Sequence, residues 1–397
     1  MVAEPPGVLI VVANHDGEGG LQLKVADLAR HQSHRRPVVV LTWAPTPLPS
    51  VRPDPTGAIV VRVPCLVSWS TDRDRVWASL NTAVSVVTAV TAAVACRRRW
   101  SVVYAAGLNP EGVVAAMAGR MLRRSYILDT WLPGPIGNVA RLRRSPVAPF
   151  LLRLVGGAKA FVAETAEIAG ELRACGLPSD RVLTVRQGVD LDHFHPVDVA
   201  ARRRSALDLV GNATGVVAYC GRIDLRQKRL DLLLDAWEQA DLEGWSLVLA
   251  GDGPDAGRIV SRGRAMTRPP LHLGWRRDVA PVLAGADIYV LPTNFEATGR
   301  SMLEGMACGL PGLVSATSTY ADLRPDGVVL VDNTAAAWAA ALTALASDGA
   351  RREHLGRRAR AWVEVNGDVG AGRAVIDRLL DEERGCGVVD ADPRSPR

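Results

Sequence analysis

The chain has 397 residues, 48% of them hydrophobic and 22% charged, with a formal net charge of +5. That length exceeds a single hydrophobic core and calls for two domains, while the ordinary apolar and charged fractions exclude both a disordered chain and a membrane bundle. The basic excess falls in first-half runs, Arg97 to Arg99, Arg123 with Arg124, and Arg141 with Arg143 and Arg144. These read as a solvated face or as contact with an anionic membrane surface or substrate. They lack the interleaved aromatic residues of a nucleic-acid surface.

In chain order, the apolar run after Val8 is too short for a signal peptide. β-Branched runs at 8–13, 37–42, 58–63, 101–105, 125–129, 159–163 and 181–185 predict strands, with helices in the gaps. Over 20–32, Leu21, Val25, Leu28 and Ala29 share one helical face, with Lys24, Asp27 and Arg30 outside it. The segment from Val86 to Cys96 is apolar but short and dotted with threonine, which predicts a packed helix rather than a membrane span. At 186–197 glycine, proline and aspartate interrupt the periodicity. Strands resume at 215–220, 246–250, 271–273, 287–291 and 312–316, a long helix is predicted over about 350–384, and 385–397 reads as a disordered tail.

Strands alternating with helices are the signature of parallel βαβ units. The expected fold is α/β, with two doubly wound Rossmann-like domains over 1–190 and 197–375, and 376–397 as the end of the last helix and the tail. Ligands in such folds bind at the carboxyl ends of strands, so the cleft where two such domains face each other is the place to search. Six cysteines, Cys65, Cys96, Cys175, Cys220, Cys308 and Cys386, stand far apart without metal-ligand spacing. They read as buried thiols of a reducing, cytoplasmic compartment.

The sharpest local feature is the segment 294–315, in which Glu296 and Glu304 are eight residues apart. Glu296 follows a strand, and Gly299 starts a helix that holds Glu304 more than one turn inside. Free amides near Gly299, Arg300 and Ser301 then form an anion site between two carboxylates that can accept hydrogen bonds from sugar and ribose hydroxyls. A second motif, GRIDLRQK at 221–228, sets Arg222 and Lys228 around a short loop after a strand. Only Lys24, Lys159 and Lys228 among the 47 cationic residues are lysines, which makes Lys228 informative. Two fixed cations can stabilise the charge that grows on a leaving diphosphate, lysine as a point charge and arginine as a fork.

Together with AGDGP at 250–254 and EGMACGLP at 304–311, these motifs resemble, in the same order, those of the retaining GT-B glycosyltransferases called family 4. The likeness covers the second half; the first half resembles the family more loosely, through GEGG at 17–20 and GVDLDHF-x-P at 188–196. The resemblance implies that Arg222 and Lys228 hold the donor diphosphate, Glu296 the sugar hydroxyls and Glu304 the ribose, while Gly19 and Gly20 let the first loop approach the phosphate. It implies transfer from a UDP- or GDP-sugar to a small acceptor with retention, with no metal and no bound cofactor. Natural-product, thiol and glycolipid acceptors all fit the reading. Arg229 replaces the usual glycine after the lysine, and Gln187 replaces an asparagine. The strand 125–129 leads into Asp129-Thr130-Trp131, where many relatives present a histidine to the acceptor. Trp131 then either stacks on an acceptor ring or fills the groove between the domains.

An inverting transferase would instead use His15 as general base, oriented by Asp129. A non-catalytic reading, in which the chain binds a nucleotide sugar without transferring it, leaves the paired cations and carboxylates without a purpose. A nicotinamide dehydrogenase fits poorly, because Gln22 stands where the third glycine of G-x-G-x-x-G belongs and Thr42-Trp43 supplies no acid. The Asp-x-Asp pairs Asp72 with Asp74 and Asp190 with Asp192 follow no strand of the second domain and read as chance. His193 and His195 lack a third metal ligand. Trp275 is read as core filling, with packing beside a nucleotide base as the alternative.

Overall fold

The computed structural model describes residues 7–15, 19–46, 48–65, 75–134 and 137–382. Gly17 and Glu18 of the first loop, Asp72 with Asp74, Cys386 and the expected tail lie outside the described residues. The chain forms two compact units, Met1–Val185 with Arg373–Arg397, and Arg186–Gly372.

Unit 1 runs β1 (Val8–Val11), α1 (Gly20–Ser33), β2 (Val38–Ala44), β3 (Ser50–Pro53), β4 (Ile59–Pro64), α2 (Arg75–Ala95), β5 (Val102–Ala105), α3 (Glu111–Leu122), β6 (Ser125–Thr130), α4 (Asn138–Arg143), α5 (Ala148–Val155), β7 (Ala160–Ala163), α6 (Ala166–Ala174) and β8 (Val182–Thr184). Its sheet has the order β3-β4-β2-β1-β5-β6-β7-β8. Every pair is parallel except β3 with β4. Unbroken burial of β1, β5 and β7 follows from helices covering both faces, which is why these strands read as continuous apolar runs rather than alternating ones. The exposed edge strand β3 is absent from the sequence expectation. Its four residues are too few to show a period, and Pro53 is tolerated only because no further strand needs its missing N–H.

Unit 2 runs α7 (Val199–Val210), β9 (Gly215–Cys220), α8 (Leu230–Ala240), β10 (Trp245–Ala250), α9 (Ala256–Arg264), β11 (Leu271–Gly274), α10 (Ala280–Ala284), β12 (Ile288–Leu291), α11 (Arg300–Ala307), β13 (Gly312–Ser315), α12 (Ser318–Leu323), β14 (Val328–Val331), α13 (Ala335–Ser347) and α14 (Gly349–Asn366). The last helix, α15 (Val369–Asp381), passes from unit 2 into unit 1. The second sheet, β11-β10-β9-β12-β13-β14, is wholly parallel. Its core includes α8, which buries Leu230, Leu233, Leu234 and Trp237 and packs on α13, whose Trp338 is also buried.

The helix expected over about 350–384 is instead two, broken at Gly367-Asp368. The break has a packing cause. Val189 N donates to Gly367 O at 2.8 Å and Val369 N to Val189 O at 3.3 Å, so the segment after β8 pairs with the chain between α14 and α15. The neighbouring Gly188 makes this approach feasible, since a Cβ there would stand 2.3 Å from Val369 Cα.

Gly188→Ala should therefore force backbone apart and lower stability by about 1–3 kcal/mol. Gly20→Ala, with nothing within 4 Å of the added carbon, should cost nothing. Thermal unfolding of the two variants checks this, and equal midpoints would contradict it.

Candidate active site

In unit 2 the strand order reverses between β9 and β12, so the loops leaving their carboxyl ends diverge and leave room for a ligand. Those are the loops that carry the second and first motifs, 221–229 and 292–299. They are laced together: Asn294 N donates to Gln227 O at 2.8 Å, and Arg229 N to Pro292 O at 3.2 Å. Asn294 Nδ2 donates to Arg226 O at 2.9 Å and Gln227 Nε2 to Phe295 O at 3.3 Å. Asp224 closes the first loop from within, accepting Lys228 N on its carbonyl at 2.6 Å and Arg226 N on its carboxylate at 3.1 Å.

The third motif is the backing of the first. Gly221 N donates to Ala250 O at 2.9 Å and Ile223 N to Asp252 O at 2.8 Å. A Cβ on Gly251 would lie 1.9 Å from Gly221 O and one on Gly253 2.3 Å from Ile223 O. Backbone on backbone at that spacing admits only glycine, so AGDGP is a shaped support rather than a source of side chains.

This framework brings Lys228 Nζ against Glu296 Oε2, with the two side chains only 10% and 12% exposed. A cation and a carboxylate so enclosed each hold the other in place, since removing one would leave an uncompensated buried charge. Arg222 behaves differently. Tyr219 OH fixes its carbonyl at 2.6 Å, but its guanidinium is 56% exposed and lies 3.8 Å from Asp224. It is an exposed second cation beside an enclosed one.

Helix α11 begins next to Glu296. Its N-cap, Gly299, is in the left-handed region at φ 75°, and no side chain caps the helix. A Cβ on Gly299 would meet Tyr320 OH at 2.4 Å. Met302 N and Leu303 N both reach Gly299 O, and the amides of Arg300 and Ser301 belong to the first turn at the helix entrance. The Ser301 hydroxyl accepts from Tyr289 OH at 2.7 Å, and Arg300 Nε donates to Glu304 Oε1 at 2.9 Å. Glu304 is thus buried one turn in, with one oxygen already engaged by Arg300. Burial first, and the charge of Glu296 second, push the Tyr219 and Tyr320 phenols up and keep them neutral. Burial also raises the Cys220 thiol, and pushes Cys308 up to about 12, so both are inert packing beneath the loops.

In unit 1 the expected pairing of His15 with Asp129 requires correction. His15 Nε2 faces Asp54 Oδ2 at 3.2 Å, not Asp129, because the chain after β1 leans toward β2 through His15 N donating to Thr42 Oγ1 at 3.2 Å. Burial alone would raise the Asp54 carboxyl, but hydrogen bonds from Thr56 and His15 outweigh it and hold the group below the usual range. Asp129 is 1% exposed, and its Oδ2 accepts from Tyr104 OH at 2.8 Å and Lys24 Nζ at 2.7 Å. It is part of a buried cluster with Tyr104 and Lys24. Lys24 also reaches Glu164 Oε1 at 2.7 Å; burial opposes its charge, but the two carboxylates win and hold it above its ordinary range. Trp131 is tied by its own N–H to Asn138 Oδ1 at 3.2 Å. Gly20 meets no steric demand, and a Cβ on Gly19 would meet only the movable end of Gln22, so neither glycine is required by close packing. In unit 2, Trp275 is 37% exposed and fills no core. His193 pairs with Asp278 at 2.9 Å, and Asp190 caps the turn carrying Asp192 and His193. Among the described residues no three His, Cys, Asp or Glu side chains gather as metal ligands.

Several contributors escape sequence reasoning. Asp224 and Tyr219 act through short-range contacts that shape the first loop, Tyr289 reaches Ser301 twelve residues on, and Lys24 and Glu164 join the candidate Asp129 through contacts between distant segments. Glu111 is another. It opens α3 beside the point where the unit 1 order reverses, and a Cβ on Gly107 would lie 2.6 Å from its Oε2. Burial pushes its carboxyl up to about 7, against hydrogen bonds from its own N–H and that of Ala13 and the charge of Arg141.

Residues 214–348 match the family model described as glycosyl transferases group 1. A D-inositol 3-phosphate glycosyltransferase of Xylanimonas cellulosilytica is 34% identical over 244 residues, which are 57% of this chain and 57% of that protein. A GDP-mannose-dependent alpha-(1-6)-phosphatidylinositol dimannoside mannosyltransferase of Mycobacterium tuberculosis is 34% identical over 192 residues, 46% of this chain and 48% of that one. The chain therefore spans about half the length of these relatives. Among solved structures, Anabaena HepE in complex with UDP and glucose superposes with a TM-score of 0.73 at 17% identity, over 94% of this chain and 99% of that one. Sucrose-phosphate synthase of Thermosynechococcus elongatus gives 0.73 at 20%, over 94% and 98%. The fold is GT-B, two Rossmann-like parallel-sheet units, as the motifs imply.

Glu111 yields a signed pH dependence. An unfolded glutamate loses its proton near 4.5 and the folded one near 7, so native stability falls as pH rises through that window and levels off above it. The penalty is about 3 kcal/mol at pH 8. Glu111→Gln should gain stability relative to the parent at pH 8 but not at pH 4. Equal differences in unfolding midpoint at both pH values would contradict this.

Proposed function

We propose that this chain is a retaining glycosyltransferase that moves a sugar from a UDP- or GDP-sugar to a small acceptor, a natural product, thiol or glycolipid precursor, in the cytoplasm. The observation that carries the reading is the enclosed contact of Lys228 with Glu296 beside the uncapped start of α11. A nucleotide sugar is an anion joined to a polyol, and this site presents a cation joined to a hydrogen-bond acceptor. The diphosphate would take Lys228, the amides of Arg300 and Ser301 and the exposed Arg222. The sugar hydroxyls would donate to Glu296.

As the bond from anomeric carbon to phosphate oxygen breaks, negative charge grows on the leaving diphosphate, where fixed positive groups stabilise it most. The departing oxygen, held on the face where the acceptor enters, takes the acceptor's proton, so the new bond forms on that same face. No separate protein base, metal or cofactor enters this scheme. Glu304 would accept a ribose hydroxyl. The named activities of the sequence relatives are glycosyl and mannosyl transfers, one of them GDP-mannose-dependent, which supports sugar transfer as the reaction class.

The inverting alternative needs His15 open to an acceptor. Its Nε2 faces Asp54 and its Nδ1 is buried, which favours the retaining scheme.

A panel of UDP- and GDP-sugars scored by nucleotide release should identify one donor, with turnover unaffected by EDTA. Lys228→Ala and Glu296→Gln should each lower kcat/KM about 100- to 1000-fold. Circular dichroism guards against misfolding, because breaking the buried pair is itself destabilising. Near-normal turnover in a folded variant would contradict the assignment, and an inverted anomeric centre by NMR would contradict retention.

A further inference from the structure

The unit 2 site holds two enclosed pairs of opposite charge. The first is Lys228 with Glu296. The second lies within α11, where Arg300 Nε donates to Glu304 Oε1 at 2.9 Å and the two side chains are 20% and 9% exposed. The pairs adjoin, since a Cβ on Gly299, the residue before Arg300, would stand 3.3 Å from Glu296 Cγ.

Helix stability does not account for Arg300. It is the first residue of α11, at the positive end of the helix dipole, where a cation is disfavoured. An arginine four residues ahead of its glutamate is also the less favourable order for a pair along a helix. Enclosing so long a side chain further costs rotamer freedom. Thr298, two residues earlier, adds to these costs, being 2% exposed with no hydrogen-bond partner for its hydroxyl. A turn that sets a guanidinium against the helix dipole beside an unmet hydroxyl is shaped for something other than its own stability.

Along a nucleotide sugar the groups run ribose, α-phosphate, β-phosphate and sugar, with hydroxyls at both ends and anions between. In the proposed function the ribose falls to Glu304 and the sugar to Glu296. The cation paired with each carboxylate then falls to the phosphate next along. Lys228 meets the β-phosphate, which bears the sugar, and Arg300 the α-phosphate, which bears the ribose. We propose that the Arg300 side chain is a third phosphate-binding cation of the donor site, beyond its backbone amide, and takes the α-phosphate while it holds Glu304. A guanidinium carries five donors in a fixed fork, so it can serve a carboxylate and a phosphate oxygen together. The inference rests on the transferase reading and deepens it, because it makes the first phosphate a recognition element in its own right, whatever sugar follows.

Isothermal titration of the full chain with UDP, UMP and uridine, and with GDP, GMP and guanosine, tests it. In the series that binds, Arg300→Gln should weaken the diphosphate and the monophosphate about tenfold or more. Removing Arg300 alone leaves Glu304 enclosed without its cation, so the deciding comparison is made in a Glu304→Gln background. There Arg300→Gln should still weaken the monophosphate about tenfold and leave the nucleoside unchanged, and Arg300→Lys should recover part of the loss. The proposal is overturned if Arg300→Gln has no effect on the monophosphate in that background, which would leave Arg300 only to orient Glu304. It is equally overturned if the nucleoside weakens as much as the monophosphate. A parent chain that binds neither UDP nor GDP overturns the transferase reading itself, and this inference with it.

Discussion

The site depends on one enclosed charge pair. Lys228 and Glu296 come from loops 68 residues apart and meet because strand order reverses between β9 and β12. Neither charge would be tolerated alone at such burial, and together they cost little only while the loops around them stay fixed. The backbone bonds between 226–229 and 292–295 keep them fixed. In the proposed reading, binding of an anion to the lysine and of hydroxyls to the glutamate would exchange one set of compensating partners for another, so no group would have to be desolvated afresh.

Glycines set the shape of this framework. Gly251 and Gly253 let one loop press on the backbone of the next, and Gly299 turns the chain sharply enough to aim the start of α11. In the proposed transfer, such rigidity would have a catalytic meaning, because fixed dipoles stabilise developing charge without reorganising. Arg222 lies largely in solvent beside this framework.

Much of unit 2 was legible in the sequence because its chemistry is local. The second-half strands from 215 to 316 fall within a few residues of their expected places, and Lys228 with Glu296 could be named from motif spacing and from the rarity of lysine. The edge strand β14 went unread although its run of valines and leucine was visible, while β3 was too short to show a period. The broken C-terminal helix was misread because its break is dictated by Gly188 and Val189, far away in sequence. Unit 1 was least legible. There His15 found Asp54 instead of Asp129, Lys24 turned out to serve two buried carboxylates, and Glu111 gave no local sign of its burial. Such pairings belong to tertiary contacts that no window of sequence contains.

The two units thus differ in character, with mapped charges in one and a buried acid-rich cluster behind a strongly basic outer layer in the other. A structure of the chain solved with UDP or GDP bound tests the central claim most directly. The pyrophosphate should lie within hydrogen-bond reach, about 3 Å, of Lys228 Nζ and the amides of Arg300 and Ser301. A nucleotide seated elsewhere, with the Lys228–Glu296 contact untouched, would contradict the account.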